Sequence, residues 1–188
     1  MTQIPVASFS RALSRVLESE GTYSLDPDDP GGETYCGISR RNHPGWPGWA
    51  IIDGLRPRTP TRAIPGLQKA VEVFYREAFW APLHCDELPE PIAEELFEAA
   101  VNIGRQRPAE WLQVALNALN DRGRLWPDMT VDGQIGATTA AAAARAGDRV
   151  GAVVRLQNIQ QGAHYLALCR TNDRMEKYLR GWLTRVTA

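Results

Sequence analysis

Scarcity narrows this 188-residue sequence first. It has three cysteines, Cys36, Cys85 and Cys169, far apart and without a Cys-x-x-Cys pair. An odd, scattered set supplies neither a disulfide framework nor a zinc site, so they read as reduced thiols in a protein made in the cytoplasm. The three histidines, His43, His84 and His164, are equally dispersed. A catalytic zinc usually takes three protein ligands, so no metal and no cofactor is expected. A net charge of -1 leaves no field for nucleic acid. The opening Met1-Thr2-Gln3-Ile4-Pro5 lacks a basic region followed by a long apolar core, so neither a secretion signal nor a membrane anchor is expected. With hydrophobic residues at 44% and charged residues at 23%, the chain has the ordinary balance of a soluble globular protein. Its length suits one compact unit with a well-packed core.

The chain is organised around the stretch from Leu17 to Ile38. Upstream, Phe9, Leu13, Val16 and Leu17 recur at steps of three or four, the spacing of one buried helical face, and Glu20 falls on the next step. A carboxylate thus occupies a position expected of a core residue. Partial burial disfavours the charged form of a carboxyl, which suits a proton donor near neutral pH, so Glu20 is the candidate general acid. Gly21 is placed to end the helix. Asp26-Pro27-Asp28-Asp29-Pro30-Gly31-Gly32 has too many prolines, glycines and aspartates for helix or central strand and reads as a tight loop. Such a loop brings Asp29 and Thr34 back toward the helix end. Two carboxyls and a hydroxyl converging there have the chemistry to protonate a glycosidic oxygen and position a water. The same residues also fit a solvated turn or a calcium loop.

The rest of the chain reads as helices joined by loops. Asn42 to Trp49 is too rich in proline and glycine for regular structure. Trp46 and Trp49 either stack on sugar faces or lid the core. The stretch through residues 56–60 stays loop-like, as one wall of a cleft. A helix resumes near Pro65, with Leu67, Val71, Phe74 and Tyr75 on its apolar face. The next starts near Pro91, carries Ile92, Leu96, Ala99 and Ile103, and stops at Gly104. Another opens at Pro108 and closes at Gly123. In Val131 to Thr138, Asp132-Gly133 predicts a turn, Gly136 a close backbone approach, and Thr138 or Thr139 a cap for the alanine-rich helix that follows. Asp148 is placed to cap a long helix, and a last helix carries Tyr178, Leu179, Trp182 and Leu183 on one face. That face more readily packs on the protein than inserts in a membrane.

Glu20-Gly21-x-Tyr23, Asp26-Pro27-x-Asp29-Pro30-Gly31-Gly32-x-Thr34 and Gly37-Ile38 resemble the signature of glycoside hydrolase family 108, the phage-type endolysins and bacterial N-acetylmuramidases. The family usually has Gly-Gly after its catalytic glutamate, where this chain has Gly21-Thr22. Phe97-Glu98-Ala99-Ala100-Val101-Asn102-x-Gly104 is similar to a second family pattern, with Glu98 where Asp is usual. The block around Asp132-Gly133 resembles the C-terminal peptidoglycan-binding module of the same family, and the chain ends, like the family, in Gly181-Trp182-Leu183-x-Arg185-Val186. The resemblance runs from about Leu13 to Val186. It implies a mainly α, α+β lysozyme-like fold with about seven helices and a small hairpin or extended loop carrying Asp29 and Thr34. It also implies a catalytic lobe over residues 1–105 and a helical, module-like lobe over 106–188, packed as one unit.

On this reading the chain is a peptidoglycan hydrolase cleaving the β-1,4 bond between N-acetylmuramic acid and N-acetylglucosamine. Glu20 is the acid, and Asp29 with Thr34 orients the water. Tyr35 and Asn102 are the substrate contacts. The Asn102 amide suits an N-acetyl group or, equally, a tie to backbone at a helix end. The expected partner is bacterial peptidoglycan, met by a monomer. Delivery across the membrane, of holin type, is an implication of the resemblance. Between Arg155 and Ala188 six basic residues outnumber two acids, whereas His84 to Glu98 holds six acids and no Lys or Arg. The basic end suits weak attachment to an anionic envelope or a solvated helix face. The competing readings are a lytic transglycosylase, which also uses one glutamate, and a non-catalytic wall-binding or secretion accessory protein. A thiol peptidase built on Cys36 is disfavoured, since Cys36 reads as a small buried residue.

Overall fold

In a computed structural model, residues 7–19, 22–25, 32–55 and 64–186 are described. They form eight α-helices and one three-stranded antiparallel sheet, a mainly α architecture of the expected lysozyme-like class. Two compact units divide the chain, one spanning Phe9–Ala78 and the other running from Phe79 onward.

In the first unit, α1 (Phe9–Ser19) buries Phe9, Ala12, Leu13 and Val16, the stripe its spacing predicts. Strands β1 (Tyr23–Leu25), β2 (Glu33–Tyr35) and β3 (Ile38–Ser39) follow in the order β1-β2-β3. Tyr35 pairs with Ile38 across a two-residue turn in which Cys36 (φ 47°) and Gly37 (φ 78°) are both left-handed. This is the backbone that matches the twist of a tight hairpin. Gly37 adopts it freely, while Cys36 is held there by two bonds. Its N–H donates to Thr22 O at 2.9 Å, and its carbonyl accepts from Tyr75 Oη at 2.8 Å.

Residues 48–54, expected to be loop, instead form α2 (Gly48–Gly54). Trp49 and Ile52 lie one turn apart and are both buried, and that packing overrides the poor helix propensity of the segment. Gly48 is needed there because a Cβ would run into the ring of Trp46. Then α3 (Pro65–Tyr75) starts with proline in its first turn, as expected, and buries Leu67, Val71 and Tyr75. It widens into a π-helical turn, Arg76–Trp80, through which the chain leaves the unit.

The second unit is all helix. α4 (Glu90–Ile103) ends on Gly104 at φ 87°, and α5 (Gln106–Ala118) begins two residues before the expected Pro108. α6 (Ala137–Ala144) is the alanine run, α7 (Val150–Thr171) packs on both α4 and α5, and α8 (Glu176–Trp182) closes the unit. Trp80 is wholly buried, edge-on to Phe97 at 5.3 Å, and donates Nε1–H to Asp86 at 2.8 Å. Two expected caps are corrected. Gly136, not a threonine, occupies the N-cap of α6, and Asp148 sits in a 3-10 turn ahead of α7 and pairs with Arg149.

The irregular stretch between α5 and α6 is stitched to α5 by amide side chains. Asn117 exchanges two hydrogen bonds with the backbone of Met129, at 2.8 and 2.9 Å, and Trp126 donates to Leu116 O. Such bonds supply the partners that buried backbone groups require without forming a helix or sheet. No helix among the described residues is long and apolar enough to cross a membrane.

Candidate active site

Glu20 and Asp29 lie outside the described residues, as does Gly21. Thr34 is the member of the expected catalytic set that the structure places. It is the middle residue of β2, and side chains alternate along a strand, so Thr34 faces away from its neighbours Glu33 and Tyr35. Those two are buried and Thr34 is half-buried. In register, Thr34 stands opposite Ser24 on one side and Ser39 on the other. Directly opposed residues share a face, so the sheet presents a row of three hydroxyls, Ser24, Thr34 and Ser39.

The opposite face of β2 carries an ionic brace. Glu33 accepts from Tyr23 Oη at 2.9 Å and pairs with Arg40 Nε at 2.8 Å. The Arg40 guanidinium also forks onto Asp53, at 2.8 and 3.2 Å, and lies 4.6 Å over the Trp49 ring. The Asp53 bond leads a group of neighbours, with Glu33 next among those that raise it, that hold Arg40 above its ordinary pKa against the opposing effect of burial. The brace joins β1, β2, the turn after β3 and α2, and fixes the strand on which Thr34 stands. Arg40 and Asp53 carry no sequence signal, because residues 13 apart in irregular chain have no periodicity to betray them.

Tyr35 is 1% exposed, stacked on Trp46 at 5.9 Å. Its ring is committed to packing under the sheet. The open choice for the tryptophans resolves toward the core. Trp46 and Trp49 are buried edge-to-face at 5.0 Å, donating their indole N–H groups to Ala70 O and His43 O. A cavity of about 310 Å³ opens between α1, the β2–β3 turn and α3, lined by Leu13, Leu17, Tyr35, Cys36, Val71 and Glu72 among others. Leu17 is three residues from Glu20 in sequence, and Tyr35 is next to Thr34.

In the second unit, Asn102 donates Nδ2–H to Glu98 O at 2.9 Å, one turn back along α4. This is the backbone tie that was one of its two readings. Glu95, not singled out in the sequence, has its carboxyl pushed up to about 7 by burial against α7, with a hydrogen bond from Asn158 opposing the shift and the Glu98 charge adding to it. Burial also pushes the Cys85 thiol up, with the Asp86 charge adding to it. All three cysteines are free thiols. Among the described residues no group of three or more His, Cys, Asp or Glu side chains is placed to hold a metal ion.

The fold and the sequence together define a class, the glycoside hydrolases that act on peptidoglycan. The glycosyl hydrolase 108 family model matches residues 13–104, and a predicted peptidoglycan domain matches residues 107–187. Between them the two matches account for nearly the whole chain, and it belongs to the glycosyl hydrolase 108 family, with a peptidoglycan-binding module at its C-terminal end. Among solved structures the chain is similar to SagA of Brucella abortus, at 25% identity and a TM-score of 0.57, over 95% of this chain and 88% of that one. No curated protein matches it.

Proposed function

We propose that this peptidoglycan hydrolase is an N-acetylmuramidase that cleaves the β-1,4 bond between N-acetylmuramic acid and N-acetylglucosamine. The observation that carries the reading is the hydrolase match over residues 13–104, which contains Glu20, Asp29 and Thr34 in the order the chemistry needs. Glu20 protonates the leaving oxygen, and Asp29 and Thr34 orient the attacking water from the opposite side of the sugar ring. That arrangement inverts the anomeric centre and needs the two carboxyl groups about 6.5–9.5 Å apart. The hydroxyl row Ser24–Thr34–Ser39 supports it, because a threonine on the less buried face of a braced strand holds its oxygen at a fixed height. Tyr35 serves by packing beneath that strand. Asn102 contacts an N-acetyl group with whatever donor capacity its bond to Glu98 leaves.

Residues 1–105 act on the glycan in this reading, and residues 106–188 hold the wall. Peptidoglycan lies outside the cytoplasmic membrane, so the enzyme, made in the cytoplasm, acts in the cell wall after release of the holin type used by endolysins. Mass spectrometry of fragments released from purified peptidoglycan tests the chemistry. Reducing N-acetylmuramic acid ends from the wild type, absent with Glu20→Gln, are the expected result. Anhydro-muramyl ends that persist in Asp29→Asn would instead identify a lytic transglycosylase, and activity surviving in Glu20→Gln would remove Glu20 from the mechanism.

A further inference from the structure

A cavity of about 620 Å³ in the second unit is lined by none of the residues assigned to hydrolysis. It is lined by Leu83 and His84, by Arg105 and Gln106 at the start of α5, and by the turn Asp132-Gly133-Gln134. Its volume falls within the range of about 300–1,000 Å³ typical of small-ligand sites. We propose that this cavity is a wall-binding site, and that it takes the zwitterionic stem peptide of peptidoglycan rather than the sugar chain.

The turn is built rigid. The Gln113 side chain, buried on α5, donates to Asp132 Oδ1 at 2.8 Å and to Gln134 O at 2.9 Å, and accepts from the N–H groups of Asp132 and Gly133 at 3.0 and 2.9 Å. The Gln134 N–H also donates to Asp132 Oδ1, at 2.9 Å. Gly133 is required twice over, since it is left-handed at φ 72° and a Cβ would meet Gln106 Cγ at 2.8 Å. The turn therefore lies directly on the start of α5, with Asp132 fixed at the cavity wall. Its hydrogen bonds, that from Gln113 foremost, hold its carboxyl below the usual range, so it is an anion.

The bonds from Gln113 and from the Gln134 N–H both end on Oδ1 of Asp132, and Oδ2 is the oxygen the proposal offers to a ligand. Arg105 lines the same cavity and has no ion pair among the described residues, so one free cation and one fixed anion frame a single space. His84, left-handed at φ 51°, also lines the cavity and engages Glu87 through Nδ1 at 2.8 Å.

The ligand follows from that charge pattern. Peptidoglycan glycan is a chain of sugars, which proteins hold largely by stacking on aromatic faces, and the lining contains no Phe, Tyr or Trp. The stem peptide carries free carboxylates and, on its third residue, a diamino-acid amine. A guanidinium forks onto a carboxylate, and a carboxylate accepts from an ammonium. Arg105 and Asp132 offer both contacts. Arg105 and Gln106 fall between the residues matched by the two family models, so neither match assigns them.

The proposal rests on peptidoglycan as partner, not on the role of Glu20, and a soluble peptide separates the two because it contains no glycosidic bond. Calorimetric titration of the full-length protein with a free stem tetrapeptide is expected to show saturable binding. Acetylating the third-residue amine, or making Arg105→Gln or Asp132→Asn, is expected to weaken it by about tenfold or more, the loss of one charge-assisted contact. The side-chain oxygen of Asp132→Asn can still accept from Gln113 and Gln134, and unchanged thermal unfolding of both variants checks that the turn is intact. Peptide affinity unchanged in both variants overturns the proposal, as does strong binding of peptide-stripped glycan strands with none of the tetrapeptide. A wild-type protein that binds the tetrapeptide but releases no reducing N-acetylmuramic acid ends from peptidoglycan would sink the muramidase reading alone.

Discussion

Replacing Glu95 by glutamine is expected to stabilise the protein at pH 8 and to leave it unchanged at pH 4. The carboxyl sits on α4 against α7, facing Asn158, with Glu98 one turn on and Tyr165 close enough to sense both acids. Its pKa rises from 4.5 to about 7 because burial penalises the anion. Between those values the folded state holds a proton that the unfolded state has lost, so stability falls as pH rises through that window and the penalty is complete above it. At about 1.4 kcal/mol per pK unit the full shift corresponds to roughly 3 kcal/mol, and partial access to water reduces this to about 1–2 kcal/mol. Glutamine keeps the shape and the hydrogen bond to Asn158 but carries no charge. Urea unfolding followed by circular dichroism from pH 4 to pH 8.5 should show the two proteins equal in acid and diverging through neutrality. In thermal melts near pH 8 the variant should gain about 3–6 °C. A difference between the two proteins that does not vary with pH would refute the argument, because only a proton held by Glu95 produces the divergence.

Gly133→Ala should cost about 1–3 kcal/mol, since it combines a left-handed backbone with a contact on Gln106, whereas Gly136→Ala, extended and in open space, should cost only about 0.5 kcal/mol; paired melts distinguish them. Tyr75→Phe removes the 2.8 Å bond to the Cys36 carbonyl and should cost about 1–3 kcal/mol in urea titration, more than a surface Tyr→Phe change. A thiol reagent should titrate one cysteine in the native protein, half-exposed Cys169, and all three once it is unfolded, because Cys36 and Cys85 are buried.

Most helices were legible because their sequence period is their burial period. The stripe Phe9, Leu13, Val16 and the run Ile92, Leu96, Ala99 each predict a face that the structure buries. Proline in the first turns of α3 and α4 and glycine at the end of α4 gave usable boundaries. Failures came where distant packing, not local pattern, decides. α2 contains two glycines and follows a proline, and it exists because Trp49 and Ile52 find a core. The close approach assigned to Gly136 belongs to Gly133, since which of two nearby glycines meets α5 depends on Gln106, far off in sequence.

The site is harder to read, and the reason bears on Glu20 itself. A carboxylate on an apolar stripe suggests catalysis only if the chain rarely buries polar groups for other purposes, and this chain does so repeatedly. Glu33 is buried to tie Arg40 to the sheet, Gln113 to shape a turn, Asn120 to hold Asp128 and the Gly123 N–H, and Asn158 to meet Glu95 and the Val154 carbonyl. Each is a polar residue at a core position, as the sequence pattern alone makes Glu20, yet each has its hydrogen-bonding capacity spent within the fold. Glu33 shows the consequence, for it adjoins Thr34 and would pass as an acid by position, but Arg40 and Tyr23 engage its oxygens within the fold. Periodicity therefore nominates Glu20 without selecting it. The selection comes from the ordered set of glutamate, aspartate and threonine within the hydrolase match, and Glu20→Gln tests that set rather than the stripe.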